Sequence, residues 1–211
     1  MAPNAEFFDQ HVPDRLLKAL VKLVFENYKQ SSRYCFRYFS PSVAKDLSGT
    51  HRRAKIEEDL AGIQPLFRGV VVAPARYENN TGSYNEITCG PVKLTQSCTI
   101  DRDEVPRQAK FRFTLAKNGQ LSLFDRSDRQ EASQQQSFLY AILTHGVDNN
   151  SPKRSWPAFV RIQFPNETCT EFVDEGIDLL ARFPEIVAEY IPRPQVLSQP
   201  TKRRRAMAAG E

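Results

Sequence analysis

The sequence predicts an α+β fold: a largely antiparallel sheet packed by two N-terminal helices and one C-terminal helix. Three observations lead there. Apolar residues recur at helical spacing near the N-terminus, and from Leu66 to Phe124 the chain turns to short β-type runs divided by Gly, Pro and Asn. Residues 136–165 then hold an unbroken apolar run, Phe138 to Leu143, and an alternating run, Ala158 to Phe164. Structure-breaking residues lie between them, which predicts two paired strands joined by a long loop. A strand apolar on both faces belongs in the middle of a sheet.

The elements follow in chain order. Pro13 and Asp14 suit a helix start. Leu16, Leu20, Leu23 and Val24 form one apolar stripe behind them. The aromatic stretch Tyr34 to Phe39, interleaved with Arg37, reads as rings packing a helix end, or alternatively as a stacking platform for nucleic acid. Ser40-Pro41 reads as a break. A second helix is expected from about Thr50 to Ile63, with Thr50 as N-cap and Ile56, Leu60 and Ile63 on one face.

Strands are expected around Val70–Val72, Glu86–Thr88 and Val92–Thr99, with Gly90-Pro91 dividing the last two. Asn79-Asn80-Thr81-Gly82 reads as a turn. Asn118-Gly119, between Phe111–Leu115 and Leu121–Leu123, predicts a tight hairpin. Asp125 to Gln136 is polar and Gln-rich, as a surface loop is. Thr168 to Glu171 has capping-box spacing ahead of the C-terminal helix. Pro184 then starts a further turn or short helix.

A chain of 211 residues suits one domain, residues 1–191, followed by a disordered basic tail over 192–211. The net charge of +4 lies wholly in that tail, where Arg193 and Lys202, Arg203, Arg204 and Arg205 face only Glu211. The body is neutral. No stretch is apolar for long enough to cross a membrane, and Glu6, Asp9 and Asp14 stand where a signal peptide needs a basic start and an apolar run. Cysteines at 35, 89, 98 and 169 show no zinc spacing. A cytoplasmic protein with reduced thiols is expected.

Searches for phosphate-binding loops, dinucleotide fingerprints, H-E-x-x-H and G-x-S-x-G return nothing. With His11, His51 and His145 as the only histidines, no metal and no cofactor are expected. His145, at the end of a predicted central strand, is the one candidate general base; a histidine bonded to a turn carbonyl is the commoner outcome. Glu57, Glu58 and Asp59 read as a solvated face.

Three basic features remain. Lys153-Arg154-Ser155-Trp156 could grip a phosphate backbone and stack a base, or could be a solvated loop anchored by Trp156. Lys202 to Arg205 would carry salt-sensitive binding to polyanions. His51, Arg52 and Arg53 fall in the first turn of the second helix, where cations cost a few tenths to about 1 kcal/mol each. An anion over that helix end would explain them, as would a salt bridge to Glu57 or an acidic loop.

Four stretches carry a resemblance: T-H-R-R-A-K-I-E from Thr50, V-P-R-Q-A-K-F-R from Val105, L-Y-A-I-L-T-H-G from Leu139 and P-A-F-V-R-I-Q-F-P from Pro157. Over about residues 6–190 the chain resembles uncharacterised bacterial proteins encoded beside ImmA/IrrE-type metallopeptidases on mobile and phage-related elements. The resemblance implies a cytoplasmic bacterial protein with a regulatory or defence-related role, and it transfers no catalytic residue. The function expected is a non-enzymatic module binding a protein partner, the neighbouring peptidase among the candidates, with nucleic acid as second ligand. An enzyme acting on phosphodiesters through Arg52, Arg53 and His145 is the alternative. A eukaryotic nuclear protein using Lys202 to Arg205 as a localisation signal is a third.

Overall fold

The structure is a computed structural model describing residues 3–77, 82–124, 138–147 and 155–191, without side chains at 120–124. Lys153, Arg154, Lys202 to Arg205, the Gln-rich segment and most of the Asn79–Gly82 turn lie outside those residues.

The fold is α+β, as expected. Among the described residues six strands, β1 (Val70–Arg76), β2 (Ser83–Cys89), β3 (Val92–Cys98), β4 (Leu139–Val147), β5 (Pro157–Gln163) and β6 (Ile177–Asp178), form one sheet in sequence order. Strands β3 and β4 run parallel, while every other neighbouring pair is antiparallel. A parallel pair needs a crossover. Here it is formed by residues 99–138, which include helix α4 (Lys110–Phe124).

β4 is the central strand the apolar run foretold, buried from Leu139 to Gly146. Leu139, Ala141 and Leu143 join the main core, whereas Tyr140 and Ile142 point to the other face and pack with Leu115 and Ala116 of α4. Alternation along a strand sends its side chains to the two layers. Gly146 lies where no side chain fits: a Cβ there would stand 2.4 Å from the Phe159 ring and 2.7 Å from the Thr99 carbonyl oxygen.

The helical layer comprises α1 (Pro3–His11), α2 (Asp14–Tyr38), α3 (Pro41–Ala61), α5 (Leu179–Arg182) and α6 (Pro184–Tyr190). Helix α1 was not expected. α2 begins after Pro13 as expected and runs on through Tyr34 to Tyr38, burying Leu16, Leu17, Leu20, Val21, Val24, Phe25 and Tyr28. The C-terminal helix is two short pieces divided by Pro184. Asp178 caps the first by accepting from Leu180 and Ala181 N–H groups. Arg182 then donates to Asp9 at 2.7 Å and Asp14 at 2.6 Å, tying this end to α1 and α2. Among the described residues no helix is long and apolar enough to cross a membrane.

Three expectations are corrected. α3 begins at Pro41, with extended Ser40 ahead of it, so Thr50 is mid-helix and not an N-cap. The Ser40-Pro41 break is the start of this helix, since proline fits the first turn, where its missing N–H costs nothing. Asn118-Gly119 lies inside α4 and makes no hairpin. Phe111 and Leu115 recur at helical spacing and pack with Ala116 against β4, and Gly119, one turn on, admits the close approach of Phe138, whose carbonyl oxygen would stand 3.0 Å from a Cβ. Thr168 to Glu171 caps no helix. Asn166 Oδ1 accepts from the Thr170 N–H at 2.9 Å, closing a turn in which Cys169 takes a φ of 52°.

Candidate functional site

Three consecutive residues of α3 leave the helix in three directions, because each step turns about 100°. His51 faces α2, where Nδ1 meets Ser31 Oγ at 3.0 Å and the ring stacks on Tyr34 at 4.8 Å. Arg52 points inward and is 2% exposed, its guanidinium carbon 4.0 Å from the centre of the Tyr28 ring. Arg53 points outward and donates to the Tyr77 hydroxyl. Because α3 starts ten residues earlier, no helix start lies at these residues, and the anion-site reading loses the free N–H groups it was built on. Only Arg53 of the three faces an open cleft.

That cleft has a volume of about 780 Å³. It opens at the carboxyl end of β3, whose last residues Gln96, Ser97 and Cys98 form its floor. Arg53 and Glu57, one turn apart on α3, make one wall. Tyr77 stands beyond β1, and the segment from Arg107 into the first turn of α4 makes the opposite wall. The carboxyl ends of parallel strands are where open sheets leave room for ligands.

The lining holds four cationic side chains, Arg53, Arg107, Lys110 and Arg112, and one carboxylate, Glu57. Arg112 is held in place. It donates to the Arg107 carbonyl at 2.8 Å and to Ser97 Oγ at 3.2 Å, and its guanidinium lies 4.9 Å from the Phe111 ring centre. Lys110 and Arg112 occupy the first turn of α4, which has no acidic residue. The arrangement expected of the second helix is thus found on this one. Aromatic rings complete the wall: Phe111 stacks on Tyr84 at 3.9 Å and lies 5.5 Å from Tyr77.

Behind the cleft runs a buried polar chain. Glu57 Oε1 accepts from Gln96 Nε2 at 2.6 Å, and Gln96 Oε1 lies 3.0 Å from His145 Nε2. His145 Nδ1 lies 2.9 Å from the Tyr28 hydroxyl. Glu57 Oε2 accepts from the Asn85 N–H and side-chain amide at 2.7 and 3.1 Å. The carboxylate can only accept, so it turns the Gln96 amide nitrogen toward itself and the amide oxygen toward the imidazole. His145 then carries its proton on Nε2 and accepts from Tyr28 at Nδ1. It is a neutral ring, which agrees with a pKa lowered to about 3 by burial and, secondarily, by the Arg52 charge.

With both nitrogens engaged and no exposure, His145 links the helices to the sheet and does not present a base to the cleft. Trp156 packs against the main core. Glu58 and Asp59 pair with Lys55, as a solvated face would, but Glu57 does not belong with them. Tyr28 and Gln96 escaped sequence reasoning, and Glu57 was read only as part of a solvated face or as a salt-bridge partner. Glu57 alone carried a signal, its place one turn after Arg53. Among the described residues no cluster of His, Cys, Asp or Glu could hold a metal ion.

In comparisons with known proteins, no family model, no curated protein and no solved structure matches the chain.

Proposed function

We propose that the chain is a non-enzymatic binding module whose cleft receives a phosphate-bearing ligand of the nucleotide or nucleic-acid class. The observation that carries this reading is the convergence of Arg53, Arg107, Lys110 and Arg112 on one cleft that also presents Tyr77 and Phe111. Guanidinium groups bind phosphate with directed N–H pairs, and aromatic faces stack bases without regard to sequence. Nucleic acid, the second ligand in the reading from sequence, thereby becomes the first. The alternative of a phosphodiester-cleaving enzyme has less support. Of Arg52, Arg53 and His145, only Arg53 lines the cleft.

The test is to incubate the full chain with labelled mononucleotides and short oligonucleotides, with and without a divalent metal. Binding without cleavage, weakened at least tenfold by Arg53→Ala with Arg112→Ala, is the expected result. Cleavage products that disappear in the double variant would establish the enzyme instead. Wild-type affinity in the double variant would remove the cleft from consideration.

A further inference from the structure

A second groove, of about 390 Å³, runs along α2 and is lined by Lys29, Ser32, Arg33, Phe36, Arg37 and Ser155. It shares no lining residue with the cleft. We propose that this groove is a track for the sugar–phosphate backbone of a single-stranded nucleic acid.

The charge pattern comes first. Lys29, Arg33 and Arg37 repeat every four residues, so they stand on one face of α2 at intervals of about 6 Å along the axis. Like charges at this spacing destabilise a helix. Earlier on the same helix such charges are neutralised: Lys18 pairs with Glu185 at 2.9 Å and Lys22 with Glu189 at 3.2 Å, both on α6. α6 ends at Tyr190, and among the described residues no carboxylate pairs with the row from Lys29 onward. No acidic residue lines the groove, and none of the three cations has an ion pair among the described residues. Lys29 and Arg37 instead lie 5.9 and 5.4 Å from the ring centres of Tyr190 and Tyr38.

The aromatic pattern selects the kind of polyanion. Phe36 is half-buried in the groove, and Tyr38, 60% exposed, lies under the Arg37 guanidinium. Exposed rings interleaved with a cation row suit bases that are free to unstack, whereas a duplex keeps its base faces covered. The far wall is fixed by Ser155, whose hydroxyl meets Ser32 at 3.1 Å. Phe36 and Arg37 thereby share one groove with Ser155, more than a hundred residues on in the chain.

The test measures how affinity of the full chain for a labelled 20-nucleotide single strand depends on salt. Each phosphate contact contributes about 0.7 to the logarithmic slope, so Lys29→Ala with Arg33→Ala and Arg37→Ala should lower it by about 2. The charge-preserving set Lys29→Arg, Arg33→Lys and Arg37→Lys should restore it. Neutralising the exposed control set Lys45, Arg68 and Arg76 should leave it unchanged. Unchanged far-UV circular dichroism and melting certify each fold. A wild-type slope in the groove variant overturns the proposal. So does an equal loss in the control set, or tighter binding of a duplex or a phosphopeptide than of the single strand. The Arg53→Ala, Arg112→Ala variant is titrated alongside. Slope lost only in the groove variant supports the groove and removes the cleft, and slope lost only in the cleft variant does the reverse.

Discussion

The hydroxyl of Tyr28 and the Nδ1 atom of His145, 117 residues apart in the chain, meet at 2.9 Å in a fully buried contact between α2 and β4. The rings also meet edge-on, 5.6 Å between centres. The imidazole is the acceptor, because Gln96 and Glu57 fix the proton on its other nitrogen. Tyr28→Phe keeps the ring beneath Arg52 and removes only the donor. A buried acceptor left without a partner costs about 1–3 kcal/mol. The variant should fold and lose that amount in urea denaturation. A midpoint equal to wild type would show that the bond contributes nothing.

Acid should act through the same imidazole. The folded state keeps His145 neutral down to about pH 3, while the unfolded chain takes up the proton below the ordinary 6.5. Unfolding therefore binds a proton in that window. The stabilising contribution is complete above 6.5 and falls as pH drops toward 3, by up to about 1.4 kcal/mol per pH unit. Urea midpoints between pH 7.5 and 4.5 should fall more steeply for wild type than for His145→Asn, in which nothing titrates at that position. Parallel lines for the two proteins would refute the assignment.

Replacing Arg52 by an apolar side chain of similar length should not destabilise the fold. Its Nε and Nη1 atoms are buried without a partner. Each unsatisfied donor costs about 1–3 kcal/mol, against about 0.5–2 kcal/mol returned by the ring of Tyr28. Arg52→Met keeps the stem and removes the donors, so its unfolding midpoint should equal or exceed that of wild type. Arg52→Ala also empties the space and should fall below it by about 2 kcal/mol or more. The idea fails if the Arg52→Met midpoint falls below that of wild type.

Gly146→Ala forces a methyl group into the Phe159 ring and the Thr99 carbonyl. Overpacking of this kind costs about 1–3 kcal/mol, and the neighbour at 2.7 Å is backbone that cannot swing aside. A lowered melting temperature with an unchanged far-UV spectrum is expected. Wild-type melting would mean that β4 and β5 separate more readily at this point than their packing suggests.

What could be read from the sequence depended on whether burial and apolarity coincided. They do in β4, where Leu139 to Leu143 are apolar and buried, and in the first turns of α2. They part in α3, whose buried row is Ala44, Ser48, Arg52, Ile56 and Leu60. Only its last two members look like core, so the helix seemed to begin ten residues late. α4 was lost to the stronger local signal of Asn118-Gly119. The site suffered in the same way. His145 drew attention as a lone histidine at a strand end, but Tyr28, Glu57, Gln96 and Asn85 lie on four separate elements, and only the folded chain brings them into one line. The cleft's cations were visible as residues but not as a group, because Phe111–Leu115, which holds Arg112, had been read as one strand of a hairpin and nothing placed Arg107 and Lys110 beside it.

The parallel pairing of β3 with β4 also sets an order of assembly. β1, β2 and β3 are joined by short connections, so their registers can form from contacts close in the chain. Val92 meets Leu139 only after the intervening crossover has closed a long loop, and the entropy of that closure precedes any reward from the pairing. Until then β3 is an open edge bearing Val92 and Leu94, the kind of edge that templates pairing between chains. During synthesis that edge leaves the ribosome well before the strand that covers it. The helix that completes the cleft thus lies in the segment whose docking decides how long the nascent sheet stays open.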